Sequence, residues 1–464
     1  MEVLKEMKLF MEPDSVALIG VSRNIHEGAF NILGNLIEYG FKGKIYPINP
    51  KAHEILGFKA YPNIMEIQDN IDLAVIATPR ATVPERVKEC TEKGVCALVI
   101  IAQGFADSDE EGKMLQKEVL EIARKGKTRI MGPNTFGVTN AFTGLSTALP
   151  RFKLEKTEAG IISQSGLFFI GFPQFRFGKV IDIGDCCDID FADGLAYFED
   201  DPQIRVVMLH MEGIQNGQKF FKAAKKTSMK KPLIVLKSGR TETGGKAAQS
   251  HTGSIVGKDE VYDAVFRETG VIRANDEEEA EDLIHTFLTL PLMEGKKTGI
   301  VTWAGSTGVI TADACDKYGL EVTQLSKPAL ETLQTLSPPP WLPLGNPLDL
   351  WACVGLNGFD IVNFRNNFKL ILEALLTDGK SDGIIVIVPD FLELFNHEWW
   401  DISTMIEDVT LKFPNKPIVF SIFGPKGVLA ENLMKTGKTH VFNSCERAVN
   451  ALARLNQYYK YLNP

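Results

Sequence analysis

The sequence predicts an α/β protein built as three successive sets of parallel strands and covering helices. Short apolar runs recur along the whole 464-residue chain, and charged segments of helical periodicity separate them. The length exceeds what one ordinary core supports, so several domains are expected. Two stretches without a long apolar period, 141–157 and 293–297, divide the pattern into residues 1–140, 155–292 and 297–464.

In the first set SVALIGVS reads as a strand, AFNILGNLIEYG as a helix and GKIYPINP as a strand. DLAVIATP, ALVIIAQGF and TRIMGPN give three further strands with helical segments between them. Alternation of this kind implies a parallel, Rossmann-like sheet with right-handed crossovers, whose ligands bind at the carboxyl ends of the strands. Those ends are Gly20-Val-Ser22, Pro47-Ile-Asn49-Pro50, Thr78-Pro79, Gln103-Gly104 and Gly132-Pro-Asn134. The first loop, GVSRNIHEG, departs from the G-x-G-x-x-G fingerprint. Asn49 and Lys51 stand where a nicotinamide enzyme would place a carboxylate for the ribose, which argues against a dehydrogenase. A phosphate-bearing adenine ligand suits the site better, with Lys51 meeting a ribose phosphate and the first helix N-terminus a pyrophosphate.

Residues 141–157 read as a linker. The second set follows with AGIISQSG, VIDIGD, RVVMLHMEG and PLIVLKSG as strands, and Asp276 to Leu290 as a helix with an acidic first turn. In the third set TGIVTWAGSTG, GLEVTQL, GIIVIVPD and PIVFSIFG read as strands and SPPPWLPLGNPLDL as a proline-rich loop.

Composition narrows the function. The chain is 44% hydrophobic and 23% charged with a net charge of −9, an ordinary globular balance that argues against nucleic-acid binding. No apolar run approaches the roughly 20 residues of a membrane span, and the N-terminus lacks the apolar core of a signal peptide. A cytoplasmic protein is expected. Seven cysteines, an odd number, make no disulfide framework, and the adjacent pair Cys186-Cys187 has the wrong spacing for the usual zinc sites. No metal site is expected.

The most suggestive stretch is KSGRTETGGKAAQSHTGSIVG, residues 237–257, which follows the strand PLIVL. It reads as a glycine-rich loop of small residues with two cations beyond Lys237 (Arg240, Lys246), several hydroxyls and one histidine, His251, a composition suited to phosphate. Ser163-Gln164-Ser165-Gly166, where a strand meets a helix, is a candidate anion nest, although such a turn can be only a helix cap. Glu212 ends an apolar strand. Imidazole attacks phosphorus well when one ring nitrogen is free and the other donates to a carboxylate, so His251 and Glu212 form a candidate pair. No G-x-S-x-G elbow supports a serine hydrolase and no P-loop supports a nucleotide-triphosphate site. A phosphorylated histidine on such a chain implies a partner that holds nucleotide, with the glycines as hinges for a segment that swings toward it.

Taken in order, SVALIGVS, GFKGKIYPINPKAHEILGFKAYP, DLAVIATP, GPNTFGVTN, ISQSG, HMEGI, KSGRTETGGKAAQSHTGSIVG and GNPLDL resemble the α subunit of NDP-forming acyl-CoA synthetases, the ADP-forming acetyl-CoA synthetases related to succinyl-CoA synthetase. The resemblance covers essentially the whole chain. It implies an N-terminal Rossmann-like CoA-binding domain followed by two flavodoxin-like domains. The implied activity is that of a ligase: acyl-CoA, phosphate and ADP give a carboxylic acid, CoA and ATP through an acyl phosphate and a phosphohistidine. By the same resemblance His251 is the phosphorylated residue, Glu212 holds it, and Ser163, Gln164, Ser165 and Gly166 bind the phosphate. Gly20, Ser22, Asn49, Pro50, Lys51, Thr78 and Pro79 bind CoA, and Gln103 and Asn134 close the site near the thioester. Nucleotide with magnesium belongs on a separate ATP-grasp β subunit, in an α2β2 assembly. Several segments depart from the family pattern: Gly184 to Asp188 (GDCCD), Leu167-Phe168-Phe169, Trp303 to Gly308 with Ser306-Thr307, and Trp351-Ala-Cys353. The first two flank the expected acyl pocket, so the acid is left open and a CoA- or acyl-CoA-sensing subunit without turnover stands as the alternative.

Overall fold

In the computed structural model residues 2–22, 31–171, 175–252, 257–350, 361–390, 392–393, 401–424 and 427–464 are described, without the side chains of 248–252 and 361–363. Compactness divides the chain into two units, 1–280 and 281–464.

The first unit opens with helix α1 (Glu2–Met11) and strand β1 (Ser15–Ile19), followed by α2 (Ile32–Glu38), β2 (Lys44–Ile48) and the short ribbon β3 (Glu54–Ile55) and β4 (Phe58–Lys59). Then come β5 (Leu73–Ile76), α3 (Val83–Lys93), β6 (Ala97–Ile100), α4 (Glu110–Lys125) and β7 (Arg129–Met131). The sheet order is β2-β1-β5-β6-β7, and every pairing is parallel. All residues of β1, β5 and β6 are buried, as expected of parallel strands covered on both faces. Helix α4 begins because the Asp109 carboxylate accepts from the Gly112 amide at 2.6 Å, and Glu110 and Glu111 in its first turn suit the dipole. Helix α3 ends at Gly94, whose φ of 85° only glycine adopts without strain.

The second sheet of this unit contains β8 (Gly137–Asn140), β9 (Leu145–Ser146), β10 (Ala159–Ser163), β11 (Lys179–Asp182), β12 (Val206–Met211), β13 (Leu233–Lys237) and β14 (Ile272–Ala274). Its order is β14-β13-β12-β10-β11-β8-β9. The first five are parallel, whereas β8 runs antiparallel to β11 and β9 antiparallel to β8. The expected linker 141–157 therefore contains strand: β9 lies within it. Two residues show no periodicity, and the segment is placed by tertiary bonds such as that from Asn35 Nδ2 to the Ala148 carbonyl at 2.9 Å.

Helices α5 (Gly166–Gly171), α6 (Phe191–Glu199), α7 (Gly217–Ser228), α8 (Glu242–Thr252) and α9 (Asp259–Thr269) complete the layer. Helix α8 corrects the expectation of a loop over 237–257. The Thr241 hydroxyl accepts from the Gly244 amide at 3.1 Å and its carbonyl from Gly245 at 2.7 Å, while Glu242 and Lys246 pair at 2.7 Å one turn apart. Capping and pairing outweigh the cost of two glycines in the first turn. His251 thus sits in the last turn of a helix.

In the second unit five parallel strands, β15 (Lys297–Thr302), β16 (Glu321–Val322), β18 (Gly383–Pro389), β19 (Ile418–Phe423) and β20 (Val441–Phe442), stand in the order β16-β15-β18-β19-β20, with β17 (Leu348–Asp349) beside β15. The proline-rich stretch supplies β17, and Asn346 anchors it by donating to the Thr298 carbonyl at 2.8 Å and accepting from the Ile300 amide at 2.9 Å. Ser306 and Thr307 open the helix Gly305–Lys317; Trp351-Ala-Cys353 lies outside the described residues. Among the described residues no helix is long and apolar enough to cross a membrane.

Candidate active site

The strand ends of both sheets of the first unit line one cavity of about 400 Å³. From the first sheet come Ile101, Gln103 and Asn134; from the second come Gln164, Ser165, Gly166 and Asp182. Asn134 has φ 57°, a left-handed conformation that asparagine tolerates, and its amide donates to the Ala102 carbonyl at 3.0 Å. The Gln103-Gly104 turn is strapped down by Arg80, which donates to the Gly104 carbonyl at 2.7 Å and pairs with Asp109 at 3.0 Å.

The turn from Ser163 to Gly166 is built from the inside. Ser163 is fully buried, and its hydroxyl lies 2.8 Å from the Ser165 carbonyl, 3.1 Å from the Ser165 amide and 3.2 Å from His210 Nδ1. Ser163 therefore shapes the turn, while Gln164, Ser165 and Gly166 face the cavity. Gly166 is required there: a Cβ would come within 2.4 Å of the Phe136 ring and 2.6 Å of Asp182 Oδ2.

Glu212, 6% exposed, follows β12 beside this turn. The Gln164 side-chain oxygen accepts from the Glu212 amide at 2.6 Å and from the Gly213 amide at 3.0 Å, so the two expected site segments are tied together. Lys237 Nζ donates to the Glu212 carbonyl at 2.8 Å and also to the Ser238 carbonyl, and burial pulls its ammonium down to about 8. Helix α8 follows β13, the neighbour of β12, and carries His251 in its last turn. The His251 side chain lies outside the described residues.

A second cavity, of about 280 Å³, is lined by Gly20, Ser22 and Thr78 and shares Ile101 and Leu149 with the first. Gly20, at φ 89°, passes so close to Thr78 that a Cβ would approach its methyl to 2.7 Å. Asn49 braces the rim by donating to the Val21 carbonyl at 3.0 Å and accepting from the Lys51 amide at 2.9 Å. Asn49, Pro50, Lys51 and Pro79 do not line this cavity; most of the loop after Ser22 is outside the described residues.

Two residues escaped the sequence reading. His210 bridges Ser163 and, through Nε2 at 3.3 Å, the Ser238 hydroxyl, with Phe168 stacked on its ring at 4.0 Å. Phe168 is thereby core, as is Phe169 against Phe152, and of the bulky trio only Leu167 lines the cavity. Asp182 is fully buried, its carboxylate accepting from the Phe136 amide at 2.7 Å and the Gly184 amide at 3.3 Å. Burial pushes it up to about 7, against the pull of those donors. An acid and a histidine inside otherwise apolar strands, VIDIG and VVMLHM, are the signal that would have found both.

Comparison with known proteins agrees with this architecture. Residues 14–141 match the CoA binding domain family and residues 156–287 the succinyl-CoA ligase like flavodoxin domain family. The chain is 34% identical over 470 residues to the α subunit of acetate–CoA ligase (ADP-forming) I of Pyrococcus furiosus, covering 98% of each. It is 35% identical over 473 residues to acetate–CoA ligase (ADP-forming) II of Archaeoglobus fulgidus, covering 98% of this chain and 68% of that longer protein. The crystallised dinucleotide forming acetyl-coenzyme A synthetase 1 of Ca. Korarchaeum cryptofilum, in complex with phosphate and ADP, superposes with a TM-score of 0.85 at 28% identity, covering 98% of each chain. The chain belongs to the family of ADP-forming acetate–CoA ligases, acid–thiol ligases, and corresponds along its length to their α subunit.

Proposed function

We propose that this chain is the CoA-binding, phosphohistidine-carrying subunit of an ADP-forming acyl-CoA synthetase, interconverting acyl-CoA, phosphate and ADP with a carboxylic acid, CoA and ATP. The carrying observation is the single cavity onto which Gln103 and Asn134 from one sheet and Gln164, Ser165 and Gly166 from the other converge. CoA fits the second cavity: Gly20 is part of its lining, Ser22 and Thr78 supply hydroxyls, and the shared wall at Ile101 and Leu149 leads its thiol end toward Asn134. Asn49, Pro50, Lys51 and Pro79 form the outer rim, where the phosphate-bearing end of CoA meets the Lys51 cation.

The Ser165 hydroxyl and the Gly166 amide hold inorganic phosphate beside the thioester. A phosphate oxygen attacks the acyl carbon, the C–S bond breaks, and the thiolate leaves and takes a proton. Acyl phosphate remains on the turn. One imidazole nitrogen of His251 then attacks phosphorus, the P–O bond to the acyl group breaks and the carboxylate departs. Glu212 accepts from the other ring nitrogen and stabilises the cation that forms. Phosphohistidine passes the phosphoryl group to ADP held with magnesium on an ATP-grasp β subunit, in an α2β2 assembly in the cytoplasm.

The test uses the chain with its partner subunit, supplied with butyryl-CoA and labelled phosphate, or with labelled ATP. Acid-labile, base-stable label on the wild type and none on His251→Ala is expected. Label that persists on His251→Ala overturns the assignment, and CoA binding without any phosphoenzyme favours the sensing subunit.

A further inference from the structure

The acyl end of the cavity carries a charge that the reaction does not use. Among the described lining residues Asp182 is the one ionisable group; no lysine or arginine is among them. Its carboxyl lies beneath the start of the phosphate turn, where a Cβ on Gly166 would reach Oδ2 at 2.6 Å. Both oxygens are held by backbone donors, Phe136 and Gly184, so the group cannot rotate away. A second acid stands close behind: Asn134 Nδ2 donates to Asp185 Oδ1 at 3.3 Å, and Asp107 faces Asp185. Burial and the Asp107 charge push Asp185 up to about 8, with Asp182 adding to that shift. Asp182 is thus backed by further carboxyl groups outside the lining.

Resting on the function proposed above, we propose that Asp182 is a specificity-determining residue that closes the acyl cavity to acids bearing a second carboxylate. The bound phosphate has the Ser165 hydroxyl and the Gly166 amide to meet its oxygens. A carboxylate at the far end of an acyl chain meets no cation among the described lining residues and stands beside Asp182, so it is either buried unpaired or forces proton uptake. An uncharged chain meets Ile101, Leu149, Phe136 and Leu167 and gains from burial.

Butyryl-CoA and succinyl-CoA have equal chain length and differ in a terminal methyl against a carboxylate, so the ratio of their affinities isolates the acyl end. Calorimetric titration of the full chain at pH 8, without phosphate, should show butyryl-CoA binding at least about tenfold tighter. Asp182→Asn should narrow that ratio several-fold, and Leu167→Lys, at a lining position 67% exposed, should raise succinyl-CoA affinity selectively by supplying a cation. Equal binding of the two thioesters by the wild type overturns the proposal without any variant and leaves the proposed function standing. An unchanged ratio in folded Asp182→Asn, or no response in Leu167→Lys, also overturns it. Failure of both thioesters to bind removes the proposed function itself.

Discussion

Gln164 gives the sharpest separation of folding from function. It is 6% exposed, and its side-chain oxygen is the acceptor for the amides of Glu212 and Gly213, at 2.6 and 3.0 Å. Truncation to alanine strands two buried donors, each costing about 1–3 kcal/mol if left dry. Gln164 also lines the cavity of about 400 Å³, so water can reach at least one of them. A total loss of about 1–3 kcal/mol follows, a fall in Tm of roughly 2–12 °C for a unit of this size. Gln164→Glu keeps an acceptor of the same length and loses the 3.6 Å contact from Nε2 to Cys186 Sγ. Its Tm should therefore stay nearer the wild type. Its charge beside Glu212 and the phosphate turn should nonetheless cut phosphoenzyme formation at least about tenfold. Differential scanning fluorimetry and labelling with phosphate and butyryl-CoA read the two effects separately. If Gln164→Ala melts with the wild type and labels as well, the tie between the turn and Glu212 carries no weight and the reasoning fails.

Other perturbations follow from the same geometry. The Lys237 ammonium titrates near 8 in the folded chain against 10.5 ordinarily; between those values the unfolded chain holds the extra proton, so stability should rise with pH there, and urea titrations should show that rise absent in Lys237→Met. Gly166→Ala places a methyl 2.4 Å from Phe136 and 2.6 Å from Asp182 and should cost about 1–3 kcal/mol by denaturant titration; a neutral result would mean the turn is looser than its contacts indicate. His210→Phe keeps a ring against Phe168 but removes the bonds to Ser163 and Ser238, so single-turnover labelling should slow about tenfold while Tm falls less than in His210→Ala. Gly244→Ala with Gly245→Ala should raise helicity, each by about 1 kcal/mol; unchanged ATP formation with His251 still phosphorylated would retire the hinge role for these glycines.

The strands of both sheets were legible because fully buried parallel strands read as unbroken apolar runs, as in LAVI and ALVI. The strand-end residues followed from topology, and five of them do meet in one cavity. Helix α8 was not legible: Gly244 and Gly245 outweighed Lys246, Ala247 and Ala248 by eye, while the capping bond from Thr241 is a geometric fact that composition does not carry. Strand β9 was hidden by its two-residue length. Asp182 and His210 were passed over because their strands read as core; which face a polar residue takes is decided by the neighbours it finds, Phe136 and Gly184 for one, Ser163 and Ser238 for the other.

The passage from β7 to β8 takes only residues 132–136, and three of these, Asn134, Thr135 and Phe136, are wall of the larger cavity. Thr135 is fastened to the Asp182 carbonyl, and Gly137 through Asn140 continue as a strand of the second sheet, between β11 and β9. The covalent seam between the two sheets is thus the floor of the larger cavity. A clamshell opening, common where a ligand sits between lobes joined by a slack strap, would tear the floor it is meant to expose. A fragment cut near residue 141 would carry the first sheet away with β8 attached and no partner for that strand.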